Sequence, residues 1–419
     1  MRVYHPSKYN ILSKDEVGTI IFNSKTGAMA IFDPVETLLL SKESVVLDEE
    51  SDIVKMGFFT TDKYESWIDQ QDLRDVRYSD TSYWIHITNS CNANCDYCYA
   101  ANTVGMAEMS GATVDKIINF IISHRKDNTH LTFSGGEPLL RPDIISKICK
   151  SISDEKMEYD SAIVTNGSLL TKEIIDKFSK WSVKSVQVPL DGYGALHTKI
   201  KKFDSPEISF ESIIKNAKSV IDSGLKVTFR LNIGKSNVNS ILDLIDYIGR
   251  NFSKEDVSIR PALLFSTECY EQGPEIDNSH NLLEVVKKID ETGFSGDKEY
   301  FNLTPKPAYC RFMCDKNSFI FYTDGTITKC PILVGIKEKV VGSIDPLEIN
   351  SKMIMDWSEP IIDLRCNSCS LLPICGGGCK AKYDREHESA RCHTYKDIIQ
   401  DILKIIAKNK IKEQDLKTR

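Results

Sequence analysis

Apolar and polar positions follow different rules in successive stretches of this 419-residue chain. In residues 1–80 the pattern is irregular. There, Val17 to Phe22 and Ala28 to Phe32 flank the turn-prone Asn23-Ser24-Lys25-Thr26-Gly27, which predicts a hairpin. A short apolar helix is expected from Pro34 to Leu40, followed by a charged stretch ending in Gly57-Phe58-Phe59, so this part reads as a small α+β module. From Tyr83 to Leu264 short β-branched runs alternate with helical periodicity, as in a parallel α/β unit. Strands are expected at Tyr83–Thr88, Leu131–Ser134, Ala162–Thr165, Ser185–Leu190, Lys226–Ile233 and Val257–Leu264. Between the fourth and fifth, Phe210, Ile213, Ile214, Ala217, Val220 and Ile221 fall on one helical face, with Ser209 placed to cap its start and Gly224 its end. Six such units predict a partial (β/α)6 barrel, with a ligand site at the carboxyl ends of its strands. After residue 300 the periodicity fades, until an amphipathic helix near Ile398 to Ile406 and a charged tail. The expected domains are therefore 1–80, 81–300, 301–397 and 398–419.

Composition narrows the function classes. Lys and Arg number 53 against 60 Asp and Glu, a formal charge of -7, so there is no basic field to draw in nucleic acid or an anionic membrane. Apolar content of 41% with 27% charged residues is ordinary for a soluble protein. Met1 to Asn10 is polar and lacks the apolar centre of a signal peptide. No apolar run approaches the roughly 20 residues needed to span a bilayer. A cytoplasmic protein that acts on a peptide or a small molecule is expected. In that reducing compartment, thirteen cysteines point to metal rather than to disulfides.

Cys91, Cys95 and Cys98 follow directly on the first strand, which puts their thiols in a loop at its carboxyl end. A structural zinc site wants four ligands in a closed shell. Three thiolates on a cubane leave one iron open to a substrate or cofactor. On spacing alone, a zinc knuckle with a distant fourth ligand, or a chance grouping of buried thiols, also stands. Two further motifs favour the cluster: Gly135-Gly136-Glu137-Pro138 after the second strand and Thr165-Asn166-Gly167 after the third. With these three motifs in order, residues 83–264 resemble the radical S-adenosylmethionine superfamily.

The resemblance implies that Cys91, Cys95 and Cys98 hold a [4Fe-4S] cluster whose open iron binds the amine and carboxylate of S-adenosylmethionine. It implies too that Tyr97 lies against the adenine, that Gly135 and Gly136 let backbone approach the ligand, that Glu137 receives the cofactor amine, and that Asn166 meets the ribose side. One electron given to the sulfonium would then release a 5'-deoxyadenosyl radical, with flavodoxin or ferredoxin as the expected donor. The fourth strand reads Gln187-Val188-Pro189-Leu190-Asp191-Gly192, close to the Asp-Gly run of the peptide-modifying branch. Relatives often place a histidine, an acid and an arginine downstream. Here His197 is followed by Thr198 and the basic residue is Lys201, which meets a carboxylate as a point charge rather than a fork. Arg230 and Asn232 share a face of the fifth strand and are candidates to line the cofactor pocket, although a strand-end arginine is as often structural.

The remaining cysteines fall late. Eight of them lie between Cys310 and Cys392, including Cys366-x2-Cys369-x5-Cys375-x3-Cys379. Taken alone they fit two zinc ribbons as well as two clusters. Their spacing resembles the SPASM extension of radical S-adenosylmethionine peptide maturases over residues 305–395. That resemblance implies one auxiliary [4Fe-4S] cluster on Cys310, Cys314, Cys330 and Cys379 and another on Cys366, Cys369, Cys375 and Cys392, three clusters in all. Cys149 and Cys269 are left as small hydrophobes.

Within the family, a maturase that crosslinks a ribosomally made precursor peptide stands against an anaerobic sulfatase-maturating, formylglycine-forming enzyme. The latter tends to carry an aspartate base where Pro331 stands here. The hairpin and helices of residues 1–80 resemble an abbreviated winged-helix leader-recognition element, as in peptide maturases. A non-catalytic iron-sulfur or zinc protein is the reading from another class, opposed by the missing fourth ligand at the first site.

Overall fold

The computed structural model describes every residue except 17, 68–79, 104–106, 265–278, 295–302, 306–309, 311, 313–314, 360–361, 363, 385–388, 393–395 and 418–419. Val17, Cys269 and Cys314 thus lie outside the described residues. The chain forms two compact units, one made of residues 1–76, 298–314 and 357–419, the other of 77–297 and 315–356.

In the first unit, β1 (Arg2–Pro6) is followed by β2 (Asn10–Asp15), β3 (Gly18–Asn23), β4 (Met29–Phe32), α1 (Pro34–Leu39), β5 (Val45–Leu47), α2 (Asp52–Lys55) and β6 (Phe59–Thr60). β5 and β6 pair on either side of β1, and β2, β3 and β4 form an antiparallel meander. The expected hairpin is β3–β4. Asn23 closes it, its side-chain oxygen accepting from the backbone N–H groups of Lys25 and Thr26, both at 3.0 Å. α1 begins in a capping box in which Asp33 and Glu36 each accept from the other's backbone N–H.

The second unit carries β7 (Asp80–His86), α3 (Gly111–Ser123), β8 (Asn128–Ser134), α4 (Pro142–Asp154), β9 (Tyr159–Val164), α5 (Lys172–Ile175), β10 (Val183–Leu190), α6 (Ala195–Lys201), α7 (Phe210–Asp222), β11 (Lys226–Ile233), α8 (Val238–Asn251), β12 (Val257–Leu263) and α9 (Ser279–Glu291). β7 to β12 are parallel and adjacent in chain order, the arrangement of an open six-stranded β/α unit. Each expected strand is present, its ends shifted by at most three residues. Alternation explains why: Ile85, Phe133, Ile163, Val188, Phe229 and Leu231 are fully buried on one face. Gln187, Arg230 and Arg260 point the other way and stay partly exposed.

β13 (Phe319–Phe321), β14 (Thr326–Thr328), β15 (Gly342–Ile344) and β16 (Leu347–Ile349) extend this sheet past β7, β13 running parallel to β7 and the others antiparallel. They cover an edge that would otherwise expose unpaired backbone groups. The fading periodicity after residue 300 gives no sign of them, because three-residue strands are too short to show alternation.

After α10 (Ser351–Ser358), the chain adds α11 (Leu372–Cys375), β17 (Cys379–Asp384), β18 (Ser389–Arg391) and α12 (Ile399–Lys417). In the first unit, Ile399, Leu403 and Ala407 of α12 share a core with Ile11, Ile20 and Phe22 of β2 and β3. Ser13 Oγ donates to the Gln400 carbonyl at 2.9 Å in the same interface. The expected final helix therefore exists, runs on to Lys417, and packs on the N-terminal meander. Among the described residues no helix is long and apolar enough to cross a membrane.

Candidate active site

The carboxyl ends of β7 to β11 converge on the loop that carries Cys91, Cys95 and Cys98. Beyond His86 the chain stays extended and is zipped to the segment after β8. Ile87 N–H donates to Ser134 O at 2.8 Å, Gly136 N–H to Thr88 O at 2.8 Å and Glu137 N–H to Ser90 O at 2.9 Å. Only glycine allows this approach. A Cβ on Gly136 would stand 2.2 Å from Ser90 O, and one on Gly135, whose φ is +139°, would stand 2.5 Å from Thr88 O. The backbone that comes close to these glycines here is the chain's own approach to Cys91.

Glu108, which no motif singles out, braces the same segment. Its carboxylate accepts from Thr88 Oγ1 at 2.7 Å, Ser90 Oγ at 2.8 Å and Ser90 N–H at 3.1 Å. Burial pushes this carboxyl up, but the hydrogen bonds from Thr88 and Ser90 outweigh it and hold it below the usual range.

Glu137 is completely buried at the end of β8. It accepts from Thr165 Oγ1 and Asn166 N–H, both at 2.8 Å, and from Leu139 N–H at 3.1 Å. Burial lifts its pKa to about 7, and those hydrogen bonds restrain the rise. It therefore joins the loops after β8 and β9. Asn166 in turn reaches the cysteine loop, donating to Asn92 Oδ1 at 2.8 Å with its Nδ2 4.0 Å from Cys91 Sγ.

Tyr97, Asp191, Lys201 and Asn232 meet in one buried network. Lys201 Nζ lies 3.0 Å from Asp191 Oδ2 and donates to the Tyr97 hydroxyl at 2.8 Å. The Tyr97 hydroxyl donates to Asp191 Oδ1. Burial alone would discharge both members of the ion pair, but each holds the other charged: Lys201 stays well above its ordinary pKa and Asp191 below its own. His197 accepts from Asp191 N–H through Nδ1 at 3.1 Å, so its proton sits on Nε2, and burial drives it down to about 4. Its 3.7 Å approach to Asp191 Oδ2 is thus no ion pair. The carboxylate that Lys201 meets is Asp191, whose part in the site the Asp-Gly spacing did not reveal. Arg230 sits beside Arg260 in the β11–β12 register, with Nε buried and unbonded.

The donor set fits a cluster. A structural zinc takes four ligands in a closed shell, and the loop after β7 offers three thiols. A four-iron cluster instead takes one thiolate per iron. In the first unit, Cys369 N–H donates to Cys366 O at 3.0 Å and the tight turn from α11 to β17 runs through Gly376, Gly377 and Gly378 at φ 64°, 82° and 86°, a left-handed run open to glycine. Cys330, in the second unit, gives its carbonyl to the Tyr322 hydroxyl at 3.0 Å. Cys149 is buried against the Trp181 carbonyl, as a small hydrophobe would be.

Residues 85–248 match the model of the radical SAM superfamily. The radical SAM cyclopropyl synthase TigE of Paramaledivibacter caminithermalis is 22% identical over 365 residues, covering 76% of this chain and 72% of TigE. Two solved structures share the fold. The native anSMEcpe with bound AdoMet and Cp18Cys peptide aligns with a TM-score of 0.63 at 14% identity, over 80% of this chain and 99% of that one. Streptococcus suis SuiB bound to precursor peptide SuiA aligns with a TM-score of 0.56 at 16% identity, over 94% of this chain and all of that one. The matched stretch runs from within β7, through every loop that converges on Cys91, Cys95 and Cys98, to within α8, and on that ground residues 85–248 form a radical SAM domain.

Proposed function

We propose that this enzyme is a peptide maturase that installs a carbon–sulfur or carbon–carbon crosslink in a ribosomally made precursor peptide, working in the cytoplasm with electrons from a flavodoxin or ferredoxin. The observation that carries this reading is the eight-cysteine extension after residue 305, with its glycine-only turn between Cys375 and Cys379. Support comes from the solved relatives with peptides bound and from the synthase TigE. Pro331, which opens a short 3-10 turn after Cys330, offers no proton acceptor where a sulfatase-maturating enzyme uses an aspartate.

Cys91, Cys95 and Cys98 would hold the first cluster, with Glu137 toward the cofactor amine and Tyr97 and Asn166 flanking it. When bound, the cluster and S-adenosylmethionine supply one-electron cleavage of the sulfonium and a hydrogen-abstracting radical. The chain's own part is to fix the loop, through Gly136, Glu108 and Glu137. Cys310, Cys314, Cys330 and Cys379 would hold one auxiliary cluster, and Cys366, Cys369, Cys375 and Cys392 the other. β4 is an edge of the N-terminal meander, with Ile31 39% exposed, where an extended leader peptide would add a strand.

The test is anaerobic reconstitution followed by reductant and S-adenosylmethionine. 5'-Deoxyadenosine should form and should vanish in Cys98→Ala, while its persistence in that variant would sink the assignment.

A further inference from the structure

We propose that Lys201 and Asp191 form a latch that positions the three-cysteine loop through the Tyr97 hydroxyl, in place of the cofactor contact that its sequence position implies for Lys201. This rests on the loop being the radical SAM site and leaves the product open.

The Tyr97 hydroxyl is saturated. Its one proton goes to Asp191, and its two lone pairs accept from Lys201 Nζ at 2.8 Å and Asn232 Nδ2 at 3.0 Å. Asn232 Nδ2 also donates to Asp191 Oδ1 at 2.9 Å. Asn237 Nδ2 pins the backbone carbonyls of Asp191 and Asn232, both at 2.8 Å. Asp191 is fully buried, Lys201 is 4% exposed and Asn232 5%. The carboxylate partner of Lys201 is therefore already inside the protein, and a cofactor carboxylate would have to displace it.

Lys201 holds the loop a second time through its backbone. Asn94 N–H donates to the carbonyls of Lys201 and Lys202, each at 3.0 Å, and Asp204 N–H donates to Asn92 O at 3.1 Å. Ala93 and Phe203 form an antiparallel bridge between these hydrogen bonds. Residues 201–204 thus splint the stretch between Cys91 and Cys95, while the Lys201 side chain fixes the stretch between Cys95 and Cys98. Asp191 directly follows β10 and Asn232 lies on β11, so the latch ties the β7 loop to strands on the opposite side of the site. Lysine suffices for this task, since a point charge between a carboxylate and a phenol needs no bidentate fork.

The experiment uses the full-length enzyme, reconstituted without oxygen, as wild type, Tyr97→Phe and Lys201→Met. Tyr97→Phe keeps the ring and removes only the hydroxyl. It should raise amide exchange at Asn94 and the rate of iron loss to a chelator by about tenfold, the factor for one charge-assisted hydrogen bond. The affinity for S-adenosylmethionine should change by less than about threefold, because the ring placed beside the cofactor is kept and only the hydroxyl, held by Asp191, Lys201 and Asn232, is lost. Lys201→Met should show the same pattern, and Tyr97→Phe carries the test if that variant is insoluble. Unchanged exchange and iron retention would overturn the latch, as would an affinity about tenfold weaker with exchange unchanged, the mark of direct cofactor contact. Wild-type 5'-deoxyadenosine formation is scored separately, since its absence counts against the radical chemistry and not against the latch.

Discussion

His86 ends β7 only 1% exposed, its ring 5.5 Å from that of Tyr322 and its Nε2 without a hydrogen-bond partner. Burial lowers its pKa to about 4, against weaker pulls upward from Glu108 and Asp324. The folded value lies below the unfolded one, so the unfolded chain takes up the proton first as pH falls. The stability held by neutral His86 is complete above about pH 6.5 and is lost between there and about pH 4. Denaturant unfolding at pH 7 and pH 5 should show His86→Phe sparing the protein about 2 kcal/mol of that acid loss. An identical pH slope in the variant would mean that His86 is protonated in the fold. At this scale the sequence was uneven. Cys91, Cys95, Cys98 and Glu137 were legible because their motifs keep fixed order and spacing. Glu108, Asp191 and Asn237 were not, because each acts through a partner 18 or more residues away, or through backbone geometry no motif records.

Periodicity found the longer elements. Helix α7 was visible from its six apolar positions, and Ser209 caps it as expected, accepting from Ser212 N–H. It failed for β13 to β16, which are three residues each. It also found α12 without finding its seat. Leu403 is fully buried there against the meander core. Leu403→Ala should cost about 2–5 kcal/mol, the range for a truncated core leucine, and should make α12 the first site of limited proteolysis. A loss below about 1 kcal/mol would mean that the helix is not held by this core.

Across the whole molecule, three clusters would bring about 12 iron per chain. Cys369→Ala should lower that to about 8 and lower the melting temperature, because metal binding in a segment so poor in regular structure is folding energy. Iron content unchanged by the substitution would remove Cys369 from the ligands. Sequence alone determined the chemistry and the repeating frame: thiols, glycines and acid at fixed spacing after strands whose apolar positions alternate. Those are local properties, set by neighbours a few residues apart. Only the tertiary structure decided what meets what. It paired Lys201 with Asp191 on the Tyr97 hydroxyl, pressed Gly136 against Ser90, extended the sheet past β7, and seated the last helix on the first meander. Such contacts join distant positions through burial and charge, and no periodic signal along the chain encodes them.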